Sequence, residues 1–407
     1  MTNKTINEDS IFTNDGPLTI KKLSVPEAIA IIVGVNVGSG CLSLPFAAKD
    51  SGWPVLLIWL FICMVFSCIS MLYVAETMLR TKTPMQLSNL TAKYVGKIGS
   101  AFMFLAVIIN SVGCLVAYLN GAGDILGEFF GISTKASMVI FLIPSVLVIW
   151  FGLKVTGIAQ KIIVASMIVI LLILVIASLL SDHARLSSAL FINWKYAMPV
   201  FNVAIFCYIA QYMVPEITRG LSHAPKKIAP TIVSAQVICF IIHSLLALAV
   251  LSLLGNDSVS QVATIAWGKA LGVWAFFIAN IFALAAMITS FWSIGGSFLS
   301  NVIEKLHFTS ERDPKSRFIA LSLVVIPPFL LAFFGIVDFI NAISIVGSFS
   351  GVIMSILPVL MVRKARKTGE REPEFKCSKI IFNPVVQGLI IVIFCIAAVY
   401  AFINLFT

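Results

Sequence analysis

Eleven apolar runs, each about 20 residues long or longer, follow one another along the chain with short polar gaps between them. They lie at about 25–48, 52–79, 98–123, 136–152, 157–180, 196–217, 228–254, 264–300, 317–335, 339–362 and 380–405. Hydrocarbon offers the backbone no hydrogen-bond partner, so a run that crosses a bilayer must satisfy its own N–H and C=O groups as a helix. The chain is therefore expected to be an all-α integral membrane protein with 11 transmembrane helices. Its charged fraction of 11% agrees, since soluble domains carry about 25%. The eighth run exceeds one span and is expected to continue into a cytoplasmic helical end.

A net charge of +10 would by itself admit a nucleic-acid partner. The placement of the charges argues against one. With the N-terminus in the cytoplasm and the spans alternating, every Lys and Arg except Lys49, Lys135, Arg185, Lys195 and Lys269 falls inside. Asp124, Glu128, Asp182, Asp257 and Asp338 fall outside. This is the positive-inside bias. It predicts membrane lipid as the partner, the plasma or inner membrane as the location, and an external C-terminus. The basic loop from Arg363 to Lys379 should lie beside anionic lipid. Residues 1–24 are polar and read as a disordered cytoplasmic segment, not a cleavable leader.

No set of acid, base or metal-ligating residues converges in the sequence, and no gap between runs is long enough for a nucleotide-binding domain. An enzyme or an ATP-driven pump is not expected, nor is a cofactor. Most of the eight cysteines lie inside runs without metal-type spacing, and they read as small packing residues.

The first run contains Gly34, Gly38 and Gly40 within seven residues. Each glycine costs a helix about 1 kcal/mol against alanine. Such a stretch suits a helix that unwinds and presents its backbone to a ligand, and broken membrane helices mark transporter binding sites. Polar residues in other runs each carry two readings. Glu76 and Arg80, four apart, form an ion pair, or Glu76 carries a proton. Lys161 reaches to the surface, or its ammonium replaces a bound cation. Asn110 packs among small residues or lines a cavity. His243 bonds to a neighbouring helix or relays protons. Thr289 and Ser290 bond back to their own helix or offer hard oxygen ligands to a small cation. The sixth run has Pro199 and Pro215 but no central glycine; Asn202, Phe206, Tyr208 and Gln211 are its polar and aromatic residues. Runs four and five read as scaffold, the Gly/Ser stretch 347–351 reads as helix packing, and the polar segment 80–97 has room for a short surface helix.

The stretch Gly38-Ser39-Gly40-Cys41-Leu42-Ser43-Leu44-Pro45-Phe46-Ala47, followed by Gly52-Trp53, resembles the first-helix signature of the amino acid/auxin permease family. Ala117-Tyr118-Leu119 with Gly121-Ala122-Gly123-Asp124, and Phe206-Cys207-Tyr208 with Pro215-Glu216, are similar to two further segments of that family. A related bacterial group, the aromatic and hydroxy amino acid permeases, shares much of the pattern. The resemblance implies the inverted-repeat fold of the leucine transporter, with repeats at 25–180 and 196–362 and an added helix within 380–407. It implies that spans one and six unwind at mid-membrane. Asn36, Ser39 and Gly40 would then border the substrate, with Asn202 and Phe206 from span six and Asn110 from span three. It also implies a cation site at Gly34, Val37, Ala286, Thr289 and Ser290, made of five oxygens without formal charge. Ala210-Gln211 stands where many relatives have a Gly-His pair.

The expected function is secondary active transport that imports a neutral amino acid by alternating access, coupled to sodium. Two alternatives stay open. One is a proton-coupled aromatic or hydroxy amino acid permease, with Glu76 or Lys161 as the proton site. The other is an amino acid sensor built on a transporter fold.

Overall fold

The computed structural model describes residues 11–12, 17–18 and 22–406. Helix α1 (Val25–Val37) starts at a capping box. The Glu27 N–H donates to Ser24 Oγ, the Ser24 N–H donates to Glu27 Oε2 at 2.8 Å, and two orphan donors of the first turn are thereby satisfied. The helix stops at Gly38, whose ψ of −136° leaves the helical range. Helix α2 (Ser39–Ala48) resumes beyond it, and α3 (Trp53–Leu79) runs back. Helix α4 (Leu87–Val95) occupies the segment expected to hold a surface helix. Its Leu87, Leu90 and Thr91 are fully buried, so it packs inward against α5 (Lys97–Phe130) rather than lying on the surface. Helices α6 (Thr134–Phe151) and α7 (Leu153–Leu179) follow.

The sixth span divides into α8 (Ala197–Phe206) and the short α9 (Val214–Gly220), and α10 (Ile228–Leu254) is continuous. The eighth run, expected as one long helix, is two: α11 (Ala263–Leu271) and α12 (Val273–Lys305). Gly272 separates them with φ +103°, a conformation that L side chains rarely adopt. The two helices pack against each other, and α12 does run past its apolar stretch to Lys305. Helix α13 (Pro314–Phe333) precedes α14 (Phe339–Ile345), which passes through a π-helical turn at Val346–Ser350 into α15 (Gly351–Thr368). Helix α16 (Pro384–Phe406) follows.

Among the described residues, ten helical segments are long and apolar enough to cross a membrane. Helix α16 contributes a shorter apolar stretch, Pro384–Tyr400. The ten are not equally buried. Val25–Ala48 and Trp194–Gly220 are 88% and 89% buried over their spanning windows, and the next, Phe339–Thr368, is 67%. The two interrupted spans are thus the centre of the bundle. Thr134–Phe151 and Ile158–Leu179 are the least buried, at 28% and 33%, as scaffold should be.

The expected disordered segment 1–24 lies largely outside the described residues. Of the described part, Phe12 and Leu23 are buried, and the Leu23 N–H donates to Gly220 O at 2.9 Å.

Candidate functional site

The break in the first span is held open by close contact. A Cβ on Gly38 would lie 2.3 Å from Ser290 Oγ and 3.0 Å from the Tyr118 hydroxyl. A Cβ on Gly40 would lie 2.8 Å from Cys207 Sγ and 2.9 Å from Phe206 Cδ1. The glycines therefore admit α12 on one side and the end of α8 on the other. Phe206 and Cys207 begin the second interruption, so the two breaks face each other.

That second break forms without glycine. The chain leaves α8 at Phe206, turns through Cys207 to Ala210, makes a 3-10 turn over Gln211–Met213 and enters α9 with Pro215 in its first turn. Short-range bonds fill the backbone, from Tyr208 N–H to Ile205 O at 3.0 Å and from Met213 N–H to Ala210 O at 3.0 Å. Ser67 of α3 donates its hydroxyl to Tyr208 O, and Gln211 Nε2 donates to Ser67 Oγ at 3.1 Å. No residue here takes a positive φ.

The five oxygen-bearing residues proposed for a cation lie on helices that pack together, α1 and α12. Ser290 Oγ donates to Gly34 O across the helices. Thr289 Oγ1 donates to Ala285 O at 2.9 Å and Ala286 O at 3.0 Å, the back-bonded arrangement. The same Oγ1 lies 3.4 Å from where a Cβ on Gly34 would be. Val37 O accepts from Cys41 Sγ within the break. The Ser290 and Thr289 hydroxyls and the Gly34 carbonyl are neutral oxygens brought close together where α1 meets α12, the hard donor type that a small cation takes.

Three asparagines line the breaks. Asn36 is 2% exposed; its Nδ2 donates to Gln236 Oε1 at 3.2 Å, and its Oδ1 is buried without a partner among the described residues. Its carbonyl oxygen lies 3.2 Å from His243 Nε2. A carbonyl only accepts, so that nitrogen carries the proton. Asn110 Nδ2 on α5 and Asn202 Oδ1 on α8 are likewise buried and unpartnered among the described residues. Asn202, Phe46, Lys49, Tyr196, Ser348 and Phe349 line a cavity of about 680 Å³ between α2, α8 and the π-helical turn. Gly347 packs on α8, where a Cβ would lie 2.3 Å from Asn202 O. Ser39 and Gly40 open α2, whose first turn has no side-chain cap. Free N–H groups at a helix start suit a carboxylate. The Ser39 side chain lies outside the described part.

Glu76 and Lys161 stand elsewhere. Glu76 is fully buried and accepts from Arg80 at 2.9 Å, from Arg366 at 2.8 Å to each carboxylate oxygen, and from the Cys377 N–H at 2.8 Å. It is the hub of an ion-pair cluster joining α3 to α15. Lys161 is exposed on α7. Its neighbour Gln160 turns inward instead: it is fully buried, and its Nε2 donates to Thr289 O at 2.6 Å and to Ser293 Oγ. Gln160 carries no charge to mark it in the sequence, although a carboxamide inside an otherwise apolar run is a visible signal. So is Ser67.

Comparison with known proteins gives the family and the fold. The tryptophan/tyrosine permease family pattern matches residues 21–401. The tyrosine-specific transport system 1 of Haemophilus influenzae is 26% identical over 368 residues, which is 84% of this chain and 88% of that protein. The crystal structure of MhsT in complex with L-phenylalanine superposes with a TM-score of 0.70 at 15% identity, over 93% of this chain and 100% of that one. That likeness shows the leucine-transporter fold. The matching family is one of permeases and the Haemophilus protein is a transport system; neither is an enzyme, and this chain is an integral membrane protein of amino acid transport. Of the two related groups that the sequence resembles, the match lies with the aromatic one: the chain belongs to the tryptophan/tyrosine permease family.

Proposed function

We propose that this protein is a secondary active transporter that imports an aromatic amino acid by alternating access, coupled to a cation, with sodium favoured. The observation that carries the reading is the meeting of two helix breaks, Gly38–Gly40 against Phe206–Cys207, in the two most buried spans. The substrate carboxylate takes the N–H groups of the uncapped first turn of α2, at Ser39 and Gly40. Asn36, Asn110, Asn202 and Phe206 border the rest of the molecule. The unpartnered buried amide atoms of the three asparagines support a polar ligand, because such groups are costly unless satisfied. The relatives' names, one a tyrosine transport system and one a protein bound to L-phenylalanine, support an aromatic side chain.

The cation takes Gly34, Val37, Ala286, Thr289 and Ser290. When bound, it supplies a positive charge beside the carboxylate. Sodium is favoured because the residues brought to this place are neutral oxygens, while Glu76 is enclosed by arginines and Lys161 faces outward. The topology proposed is eleven spans, with inverted repeats at 25–180 and 196–362, the added helix within 380–407, a cytoplasmic N-terminus and an external C-terminus in the cell membrane. Radiolabelled tyrosine or tryptophan uptake into liposomes, with sodium and pH gradients imposed separately, tests the reading. A sodium gradient should drive accumulation. Uptake indifferent to both gradients contradicts coupling, and binding without flux indicates a sensor.

One observation favours a second reading, proton coupling. His243 touches the Asn36 carbonyl at the break itself. In that case the pH gradient drives uptake, and His243→Asn removes its effect.

A further inference from the structure

We infer that Gln160 contributes a further ligand, its side-chain Oε1, to the cation site, an assignment that rests on the cation reading above. Helix α7 belongs to one of the least buried spans, yet Gln160 is fully buried in it. Both N–H bonds of its amide are used, one to Thr289 O at 2.6 Å and one to Ser293 Oγ. The Thr289 carbonyl can only accept, so the nitrogen must face it, and this fixes which way the amide lies. Oε1 is then left buried with no partner among the described residues. A buried carbonyl-type oxygen normally has a hydrogen bond or an ion.

The place to which it is anchored is the one already picked out by Thr289 and Ser290. Val164, one helical turn from Gln160 and on the same face, reaches to 3.7 Å from where a Cβ on Gly34 would lie; Thr289 Oγ1 reaches to 3.4 Å from that point. So α7 meets α1 and α12 along the edge formed by Gln160 and Val164. A carboxamide oxygen is neutral and hard, like the carbonyls and hydroxyls it would join. The adjacent Lys161 lies about 100° round the helix and is exposed, which keeps its fixed charge away. The grip of Gln160 on Thr289 O and Ser293 also sets the rotation of the turn of α12 that presents both hydroxyls.

The test is thermal unfolding of the purified protein without amino acid, titrated with sodium chloride against choline chloride at constant ionic strength. Wild-type protein should be stabilised by sodium. Q160L and Q160M should shift the half-effect sodium concentration upward by about 10-fold or more, as losing a group at a metal site does. Q160E keeps a ligand oxygen but sets a second one against the Thr289 carbonyl, so it should respond to sodium more strongly than Q160L and Q160M without matching the wild type. Q160K brings an ammonium to the oxygens, so it should be stabilised in choline and gain nothing from sodium. Should Q160L fail to fold, Q160M, close to glutamine in length and shape, carries the comparison. A wild-type half-effect concentration in the leucine and methionine variants overturns the assignment of Gln160 alone, provided that T289A and S290A lose the response. A wild-type protein indifferent to sodium overturns the cation site itself.

Discussion

The two helix breaks do the same structural job by different chemistry. In the first, Gly38 and Gly40 remove side chains so that Ser290, Phe206 and Cys207 can approach the backbone. In the second, Cys207 to Ala210 keep ordinary negative φ angles, and the turn is held from outside by the Ser67 hydroxyl on Tyr208 O. One break is written into its own residues and the other is imposed by a neighbour on α3. Substitutions should therefore fail for different reasons at the two places. At the first, adding atoms is harmful; at the second, removing a hydrogen bond is.

The largest effect is expected at Gly38. A methyl there meets both Ser290 Oγ and Ser290 Cβ, at 2.3 Å and 2.9 Å, and the Cβ is not a flexible end. Gly38→Ala should cost about 3 kcal/mol, the upper part of the overpacking range, measured as a fall in thermal stability and in tyrosine affinity. S67A comes next: it leaves the buried Tyr208 carbonyl one donor short, at about 1–2 kcal/mol. Ala210→Gly should be mild, at about 0.5–1 kcal/mol from added freedom in the unfolded chain. If Ala210→Gly is as harmful as Gly38→Ala, the contrast between the breaks is wrong.

Glu370, away from both breaks, provides a control. The Lys93 ammonium, at 2.6 Å, and then the Lys82 N–H hold the Glu370 carboxyl below its usual range. A lowered carboxylate pKa stabilises the fold above the unfolded value of about 4.3. That stabilisation is lost as pH falls through the folded value. E370Q should cost about 0.5 kcal/mol at neutral pH, as exposed ion pairs do, and nothing in acid below the folded value. Chemical denaturation at both pH values checks this, and uptake should be unchanged at neutral pH.

The contrast also explains what could be read from the sequence. Gly34, Gly38 and Gly40 advertise their break because a missing side chain is a chemical fact of the residue. The second break hides because Cys207-Tyr208-Ile209-Ala210 would be unremarkable in a helix, and a side chain that bonds to its open backbone, Ser67, sits 141 residues away. The division at Gly272 was visible as a glycine, but nothing local says that its φ will be positive. Thr289 and Ser290 were legible as adjacent hydroxyls in an apolar span. Gln160 and Lys161 show the limit of charge as a signal. In a helix apolar on all sides no polar stripe fixes the rotation, so the lysine drew attention while the glutamine faces the centre. Glu76 was legible as an ion pair with Arg80; its second partner, Arg366, depends on the packing of α15 against α3.

In the proposed function one break serves both ligands, the carboxylate through the N–H groups of α2 and the cation through the oxygens of α1 and α12. Equilibrium binding of tritiated tyrosine to the purified protein, with sodium replaced stepwise by choline, tests it directly. Sodium should lower the tyrosine Kd by about 10-fold or more, and tyrosine should lower the half-effect sodium concentration by the same factor, because coupling is reciprocal. A tyrosine Kd unchanged between sodium and choline would contradict the shared site.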